Sequence, residues 1–504
     1  MGTLDDNRGN GNRLNGRSLN GRASNGRAPD GRTLNGRAEM NDARNGHGAN
    51  GDVAVEVMGP DIVPAAPQNG RRPLRASMRD ATEGAFFWLS MFYVVYCARP
   101  EDWIKPLKYI PLAKISALFA ILGLFSTLGK TKRNFKSLPK ESKYLLAMIV
   151  LLFIWAPFSP VWKGGAISHN FEFGKVYFAW VLTFLLVTTV ARLRRLIFIQ
   201  AGSVALISVI SVLKGSSHPR LEGVLGGIYS NPNDLAFAIV LTMPFVLLLL
   251  LTSKNVIRKA AWGVSMIFMM YTLFLTASRA GFIDLLVAAP VALWFFGVRG
   301  RRPQLIIVTV ALGGLMLVVA GKHLEERFMA ISGTGIDSGM EQSAYGSFED
   351  RKFLMERALR GIYEYPLTGV GAGDFPAYST IWHEVHMTYL QIAAEGGIPV
   401  LILYLLFMFS GFRNLSKLKK KPNLDPEVKL FIGALTSSLV GFMVGASFAP
   451  EGYQFFPFFT IAYVSALLAT VEEQGSDAAP PRGRSRLREI YANHDRTNAV
   501  PVLR

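Results

Sequence analysis

Arginine and histidine at three widely separated places in this chain could together hold an anion and move a proton. Arg279 stands in TASRAG (276–281), where two apolar runs meet with no other basic residue nearby, and Asp284 follows inside the next run. A charge at that depth is costly and by default marks function. The alternative is an interface arginine that snorkels and pairs with Asp284. Arg220 precedes SNPND (230–234), in which Asn231 can cap a helix, Pro232 suits its first position and Asp234 falls three after the cap. The free N–H groups and positive dipole end of such a helix make an anion site, with Asn233 in its first turn and Arg220 bringing a charged fork. An ordinary capped membrane helix is the other reading. His386, in HEVHMTYLQIAAEGG (383–397), exchanges protons near neutrality, its ordinary pKa being ~6.5. It could equally be an interface histidine without a role.

The residues around these three divide by helical spacing. Starting a helix at His386 puts Tyr389, Leu390 and Ala393 beneath it on one face, and Thr388, Gln391 and Glu395 on a separate polar stripe. The stripe reads as a hydrogen-bonding seam that satisfies Glu395 inside a bundle. Gly396-Gly397 before Pro399 predicts a bend. Upstream, SFEDRKFLMERALRGIYEYP (347–366) has Leu354, Ala358 and Ile362 as one apolar stripe, while Arg351, Arg357 and Arg360 supply cations. It predicts a helix lying across the mouth of a bundle. It runs into LTGVGAGDF, whose Gly369, Gly371 and Gly373 permit close backbone approach to a ligand, or simply a tight turn back to the membrane.

Such residues need a scaffold, and the composition says which kind. Half of the 504 residues are hydrophobic and only 18% are charged, with a mean hydropathy of +0.27. That is more apolar content than one soluble core needs, so the chain reads as a membrane protein. From Gly84 on, about twelve apolar runs approach the ~20 residues of a spanning helix: 84–98, 109–129, 143–160, 172–191, 195–213, 234–252, 258–276, 280–297, 303–320, 387–411, 428–448 and 454–472. The net charge of +18 would suggest nucleic acid in a soluble protein. Here the cations sort into alternate connections, at 130–143, 192–195, 254–259, 299–302 and 417–421. By the positive-inside rule these connections and both termini are cytoplasmic. RPEDWIKPLK (99–108) is basic yet falls outside, and its Trp103 suggests a segment lying at the interface.

Residues 1–80 repeat Asn-Gly-Arg at a five-residue period (15–17, 20–22, 25–27 and 35–37, with Asp30-Gly-Arg32 between) and have too few apolar residues to fold. They read as a disordered basic tail, a solvated spacer or a binder of anionic headgroups. Residues 473–504 form a second basic tail. The single Cys97 rules out an intramolecular disulfide, and no CxxC or HExxH is present, so no metal site is expected.

In order, Arg220 with NPN (231–233), SRAG (278–281), an outer loop with Asp350-Arg351, PLTGVGAGDF (366–375) and HxxYLxxxxExG from His386 to Gly397 resemble the O-antigen ligase and Wzy polymerase superfamily. The likeness covers roughly 215–400, and RPEDWI (99–104) is similar to the exosortase-associated O-glycosylation ligase branch. One departure is Met387, where the family commonly has Asn or Ser, so no polar contact is expected from that position.

The resemblance implies an all-α polytopic fold of the GT-C type with about 12 transmembrane helices over 84–472 and one long periplasmic loop, 322–385. It implies a metal-independent, inverting glycosyltransferase of the bacterial inner membrane that needs no cofactor. The donor would be an undecaprenyl-diphosphate-linked glycan and the acceptor a lipid, glycan or protein hydroxyl. His386 would be the catalytic base, and Arg220 and Arg279 would grip the donor pyrophosphate. Asn233, Arg351, Gly371, Gly373 and Glu395 would support them. Two other functions remain open at this level: a polysaccharide flippase or transporter, for which Asp284 is the main intramembrane group, and a non-catalytic scaffold that recruits partners through the basic tail.

Overall fold

The computed structural model describes residues 81–127, 133–215, 220, 221, 223, 229, 231–329 and 338–478, with backbone alone at 316–317, 319–329, 338–348 and 476–478. The repeat tail, residues 479–504 and most of the 214–234 loop lie outside the described residues.

Among the described residues there is no strand. The helices are α1 (Glu83–Ala98), α2 (Pro100–Trp103), α3 (Leu112–Ser126), α4 (Lys140–Trp155), α5 (Lys163–Leu186), α6 (Val190–Lys214), α7 (Pro232–Thr252) and α8 (Val256–Leu275). They continue as α9 (Arg279–Leu293), α10 (Gln304–Met329), α11 (Ser338–Glu364), α12 (Phe375–Ser379), α13 (Thr388–Lys420), α14 (Pro426–Gly445) and α15 (Phe455–Ala478). Each of the twelve apolar runs coincides with one of these helices. By length and composition, seven of them can cross a membrane, including α6, α7, α13, α14 and α15. Glu83–Ala98, Leu112–Ser126 and Gln304–Leu315 are apolar but shorter. The chain is therefore a multi-pass membrane protein.

Local chemistry sets the helix ends. Asn231 caps α7 by accepting the N–H of Asn233 at 2.9 Å, with Pro232 in the first position. Ser278 caps α9 through the N–H of Gly281 at 3.2 Å. Asp425 and Pro426 start α14 in the same way. Helix α7 is the hub, packed on α6, α8, α9 and α14, while α13 packs on α4, α11 and α15. Near its C-terminus α5 is tied to α15 by Arg133, fully buried, which donates to the carbonyls of Phe184 and Val187 at 2.9 and 2.7 Å and to Glu473 at 2.7 Å.

The segment 322–385 contains the helix expected over 347–366, and its neighbours extend into it. Helix α10 continues to Met329 and α11 begins at Ser338, nine residues before the expected start. The interface segment after α1 is helix α2 followed by a 3₁₀ turn over Lys105–Tyr109, and Arg99 Nε holds Asp102 at 2.5 Å.

The helix expected to begin at His386 begins at Thr388, so the histidine lies ahead of the helix cap, Met387. Met387 makes no capping bond. Its side chain packs instead in a small apolar cluster with Leu354, Val370, Phe375, Val385 and Ala394. Helix α13 breaks at Gly397 (φ 77°, ψ 173°), where the sequence predicted a bend.

Candidate active site

The N-termini of α7, α9 and α13 open at one end of the bundle. The opposite end carries the Lys/Arg-rich connections. At the open end α7 and α9 start side by side. A Cβ on Gly281 would come within 2.6 Å of the Ala236 methyl, so glycine is what lets the two helix starts approach. Asn233 Oδ1 joins them, accepting from Ser278 Oγ and from Arg220 Nη2, both at 2.8 Å. Arg220 Nε also donates to the Thr276 carbonyl at 3.0 Å, and the Leu221 N–H pairs with the Leu275 carbonyl at 3.0 Å. The chain before α7 is thereby fastened to the α8–α9 turn. Ala277 in that turn sits at φ 46°, a left-handed conformation costly for alanine, and Arg279 follows in the first turn of α9.

Arg279 is half-buried, and the pairing with Asp284 that the sequence left open is not formed: Arg279 makes no ion pair among the described residues, and both Asp284 carboxylate oxygens are buried without a partner. Asp284 lies instead against Gly441 and Gly445 of α14; its Oδ2 is 2.8 Å from where a Cβ on Gly445 would stand.

Arg351 reaches this place from α11. Leu354 and Ala358 are fully buried and Ile362 partly so, and this stripe sets α11 on the chain around Val370, Phe375 and Val385. With Leu354 seated, Arg351 one turn earlier is half-buried with its Nε unpartnered. Burial, and then the charge of Arg279, push the Arg351 guanidinium below its ordinary range. Arg351 in turn acts on His386, whose imidazole is held below 6.5 by burial first and by Arg351 next. The His386 Nδ1 lies 3.0 Å from the Glu384 carbonyl. A carbonyl only accepts, so Nδ1 carries the proton and Nε2 is left to take one. His383 bonds the Ile381 carbonyl at 2.7 Å and is exposed.

The polar stripe of α13 holds main chain rather than side chains. Thr388 Oγ1 donates to the Ala449 carbonyl at 2.7 Å and accepts the Glu451 N–H at 2.9 Å; Gln391 accepts the Gly452 N–H at 3.2 Å; Glu395 accepts the Gly373 N–H at 3.0 Å. The break at Gly397 exposes backbone groups, and the glycine turn satisfies them. Val370 N–H donates to the Ala394 carbonyl at 2.8 Å, Gly371 N–H to that of Glu395 at 3.1 Å, and Ile398 N–H to that of Pro366 at 2.8 Å.

The glycines are needed for that junction. A Cβ on Gly369 (φ 69°) would stand 2.4 Å from the Glu395 carbonyl, on Gly371 2.7 Å from Ser159 Oγ, and on Gly373 2.6 Å from the His169 ring. What their backbones approach here is protein. Gly369→Ala is expected to cost about 1–3 kcal/mol from the positive φ alone, before any clash. It should lower the thermal midpoint of the detergent-solubilised chain and the transfer rate together, whereas Thr368→Ala next to it should change neither.

One wall of the mouth escaped sequence reasoning because it comes from three separate segments. Asp234 in the first turn of α7, Glu384 beside His386, and Glu451 between α14 and α15 influence one another, and Glu451 is held well above the usual carboxylate range by burial and then by Asp234 and Glu384. A lone Glu in the connection APEGYQ (449–454) was the only signal for it. Ser159 was missed as well; its hydroxyl lies 2.8 Å from both Asp374 Oδ2 and the Val370 carbonyl and shares its proton between them, tying the α4–α5 connection to the glycine turn. Among the described residues no group of three or more His, Cys, Asp or Glu is placed to hold a metal ion.

Residues 264–405 match the O-antigen ligase family. That bears out the superfamily resemblance read from the sequence, and the matched segment contains Arg279, Arg351 and His386, while Arg220 and Asn233 lie ahead of it. No curated protein matches the chain.

Proposed function

We propose that this membrane protein, through its O-antigen ligase segment, moves a glycan from an undecaprenyl-diphosphate carrier to an acceptor hydroxyl at the periplasmic face of the inner membrane. The observation that carries the reading is the convergence of Arg220, Arg279, Arg351 and His386 at the paired starts of α7 and α9.

The diphosphate sits against two helix N-termini and the guanidinium groups, where anions are favoured. The acceptor hydroxyl attacks the anomeric carbon from the opposite side, with inversion, and gives its proton to His386 Nε2. The bond from the anomeric carbon to the phosphate oxygen breaks, and the charge arriving on the lipid diphosphate is met by Arg279 and Arg220. The departing group is a good one, so base and cations suffice without a metal. Asp234, Glu384 and Glu451 line the mouth beside them. Their carboxyl oxygens accept hydrogen bonds from sugar hydroxyls.

A short part of the carrier chain also has somewhere to lie. An apolar groove of ≈ 130 Å³ between α7, α8, α9 and α10 is lined by Met243, Met270, Leu285, Ala289 and Leu312 among others. Its α9 wall starts at Leu285, six residues or ~9 Å along the axis from Arg279.

Purified chain incubated with undecaprenyl-diphosphate-linked oligosaccharide and candidate acceptors should release lipid diphosphate in step with product. A ladder of product lengths identifies a polymerase and a single transfer a ligase; no release with any acceptor would sink the reading. Transport is the second reading because Asp284 is a buried, unpartnered carboxyl inside a spanning helix. Movement of the lipid-linked glycan across a proteoliposome bilayer without lipid diphosphate release would decide for it.

A pH profile tests the base. A lowered pKa keeps His386 neutral, and so able to accept a proton, further into acid than a free imidazole. Removing the Arg351 charge raises that pKa, so in Arg351→Gln the acidic limb of the rate profile should move to higher pH. An unmoved limb would separate Arg351 from the base.

A further inference from the structure

The basic end of the bundle holds a second site, remote from the transfer chemistry. After Pro290, α9 finishes in a π-turn over Trp294–Val298, and the chain reverses through Arg299–Pro303 with Arg301 at φ 52°. Alongside it, α13 ends and the chain turns into α14 through Lys421–Asp425. These two connections enclose a cleft of ≈ 480 Å³ whose lining includes Arg299, Arg302, Lys419, Lys421 and Lys429 and no carboxylate.

Of the five cations, only Lys421 has an ion pair among the described residues, with Glu472 at 3.0 Å. Arg302 Nη1 is buried with no hydrogen-bond partner. Lys419 Nζ and Arg299 lie 4.7 and 6.0 Å from the Phe295 ring centroid. Folding holds like charges close and leaves a buried guanidinium donor empty, and both are costs that a multivalent anion would relieve. Positive-inside topology requires cations on this side. It does not require them to converge on one concave surface with an orphaned donor.

The walls say where the anion comes from. Trp294 and Val298, on the same turn, are 54% and 50% exposed, and Ile307 and Val308 at the start of α10 are 70% and 59% exposed. Apolar surface this open beside a cationic cleft matches a bilayer whose headgroups reach the cleft while acyl chains run along the helices, with Trp294 at headgroup level.

We propose that this cleft binds the phosphate-bearing headgroup of an anionic phospholipid. The full chain in nanodiscs of phosphatidylcholine with a minor share of phosphatidylglycerol is examined by native mass spectrometry for retained lipid. Wild type should retain phosphatidylglycerol selectively. Each cation removed should weaken retention roughly fivefold, so Arg302→Gln should show the effect alone, and Arg302→Gln with Lys419→Gln and Lys429→Gln should abolish it. Lys254→Gln with Arg258→Gln and Lys259→Gln, on another connection of the same end, should retain the lipid.

Equal retention by the cleft and control variants would overturn the site in favour of diffuse charge. Inorganic pyrophosphate raising the thermal midpoint of wild type but not of the cleft variant, with no selective lipid retention, would overturn the lipid assignment and leave a soluble phosphate ligand. A cleft variant that fails to fold leaves Arg302→Gln to decide. The result is independent of the glycan-transfer reading, since the readout is bound lipid and not activity.

Discussion

A His386→Ala variant should insert and fold like the wild type yet transfer glycan about 10²–10⁴-fold more slowly, the range a positioned general base contributes. The structure separates the ring from the fold. Its flanking anchors are Val385, buried in the apolar cluster of α11, and Thr388, whose main chain and hydroxyl hold residues 446–451. Among the described residues the ring itself makes a single hydrogen bond, to the carbonyl two residues back. Truncation therefore removes Nε2 without disturbing either anchor. The measurement is lipid diphosphate release by purified protein, paired with the thermal midpoint of the same sample. Wild-type release by the folded variant would show that the base is another group, and Glu384 would be the first to substitute.

Arg279→Gln should reduce the transfer rate about 10²–10³-fold, the cost of removing one preorganised charge aimed at a developing anion. On the proposed reading the loss falls on the chemical step more than on binding, because Arg220 and two helix N-termini would still hold the diphosphate in the ground state. Arg279→Lys should recover only part of it, since an ammonium cannot offer the paired donors of a guanidinium. Arg279 has no carboxylate partner among the described residues, so its removal strands no opposite charge and stability should hardly change. An equal loss in the thermal midpoint and in activity would make Arg279 a structural residue instead.

Much of this molecule could be read from the chain because bilayers demand long apolar runs. Each run expected as a span became a helix, and the cap at Asn231 and the break at Gly397 were visible as local chemistry. Arg279 could be found because charge is rare in such runs. Partnership was not visible. Nothing local told that Asp284 would face the glycines of α14 rather than Arg279, or that Asp234, Glu384 and Glu451 would share a wall, since residues from distant segments meet only once helices pack. The glycines of 369–373 signalled close approach, but the approaching group is decided by tertiary structure, and it proved to be the broken helix. The histidine could be picked by type; its position two residues before α13 depends on a cap that no sequence rule assigns to methionine.

The junction between the glycine turn and the break in α13 has one further meaning. Its bonds run between main-chain atoms at Pro366, Val370, Gly371, Ala394, Glu395 and Ile398. These hydrogen bonds are made by the backbone, while Val370 and Ala394 also pack their side chains in the apolar cluster that seats α11. The segment from α11 to the turn can then be treated as a unit clipped to the membrane frame by backbone hydrogen bonds. Grafts joined at 366–375 that retain Arg351, Leu354 and Ala358 should keep the frame and the proposed proton acceptor while altering what the mouth admits.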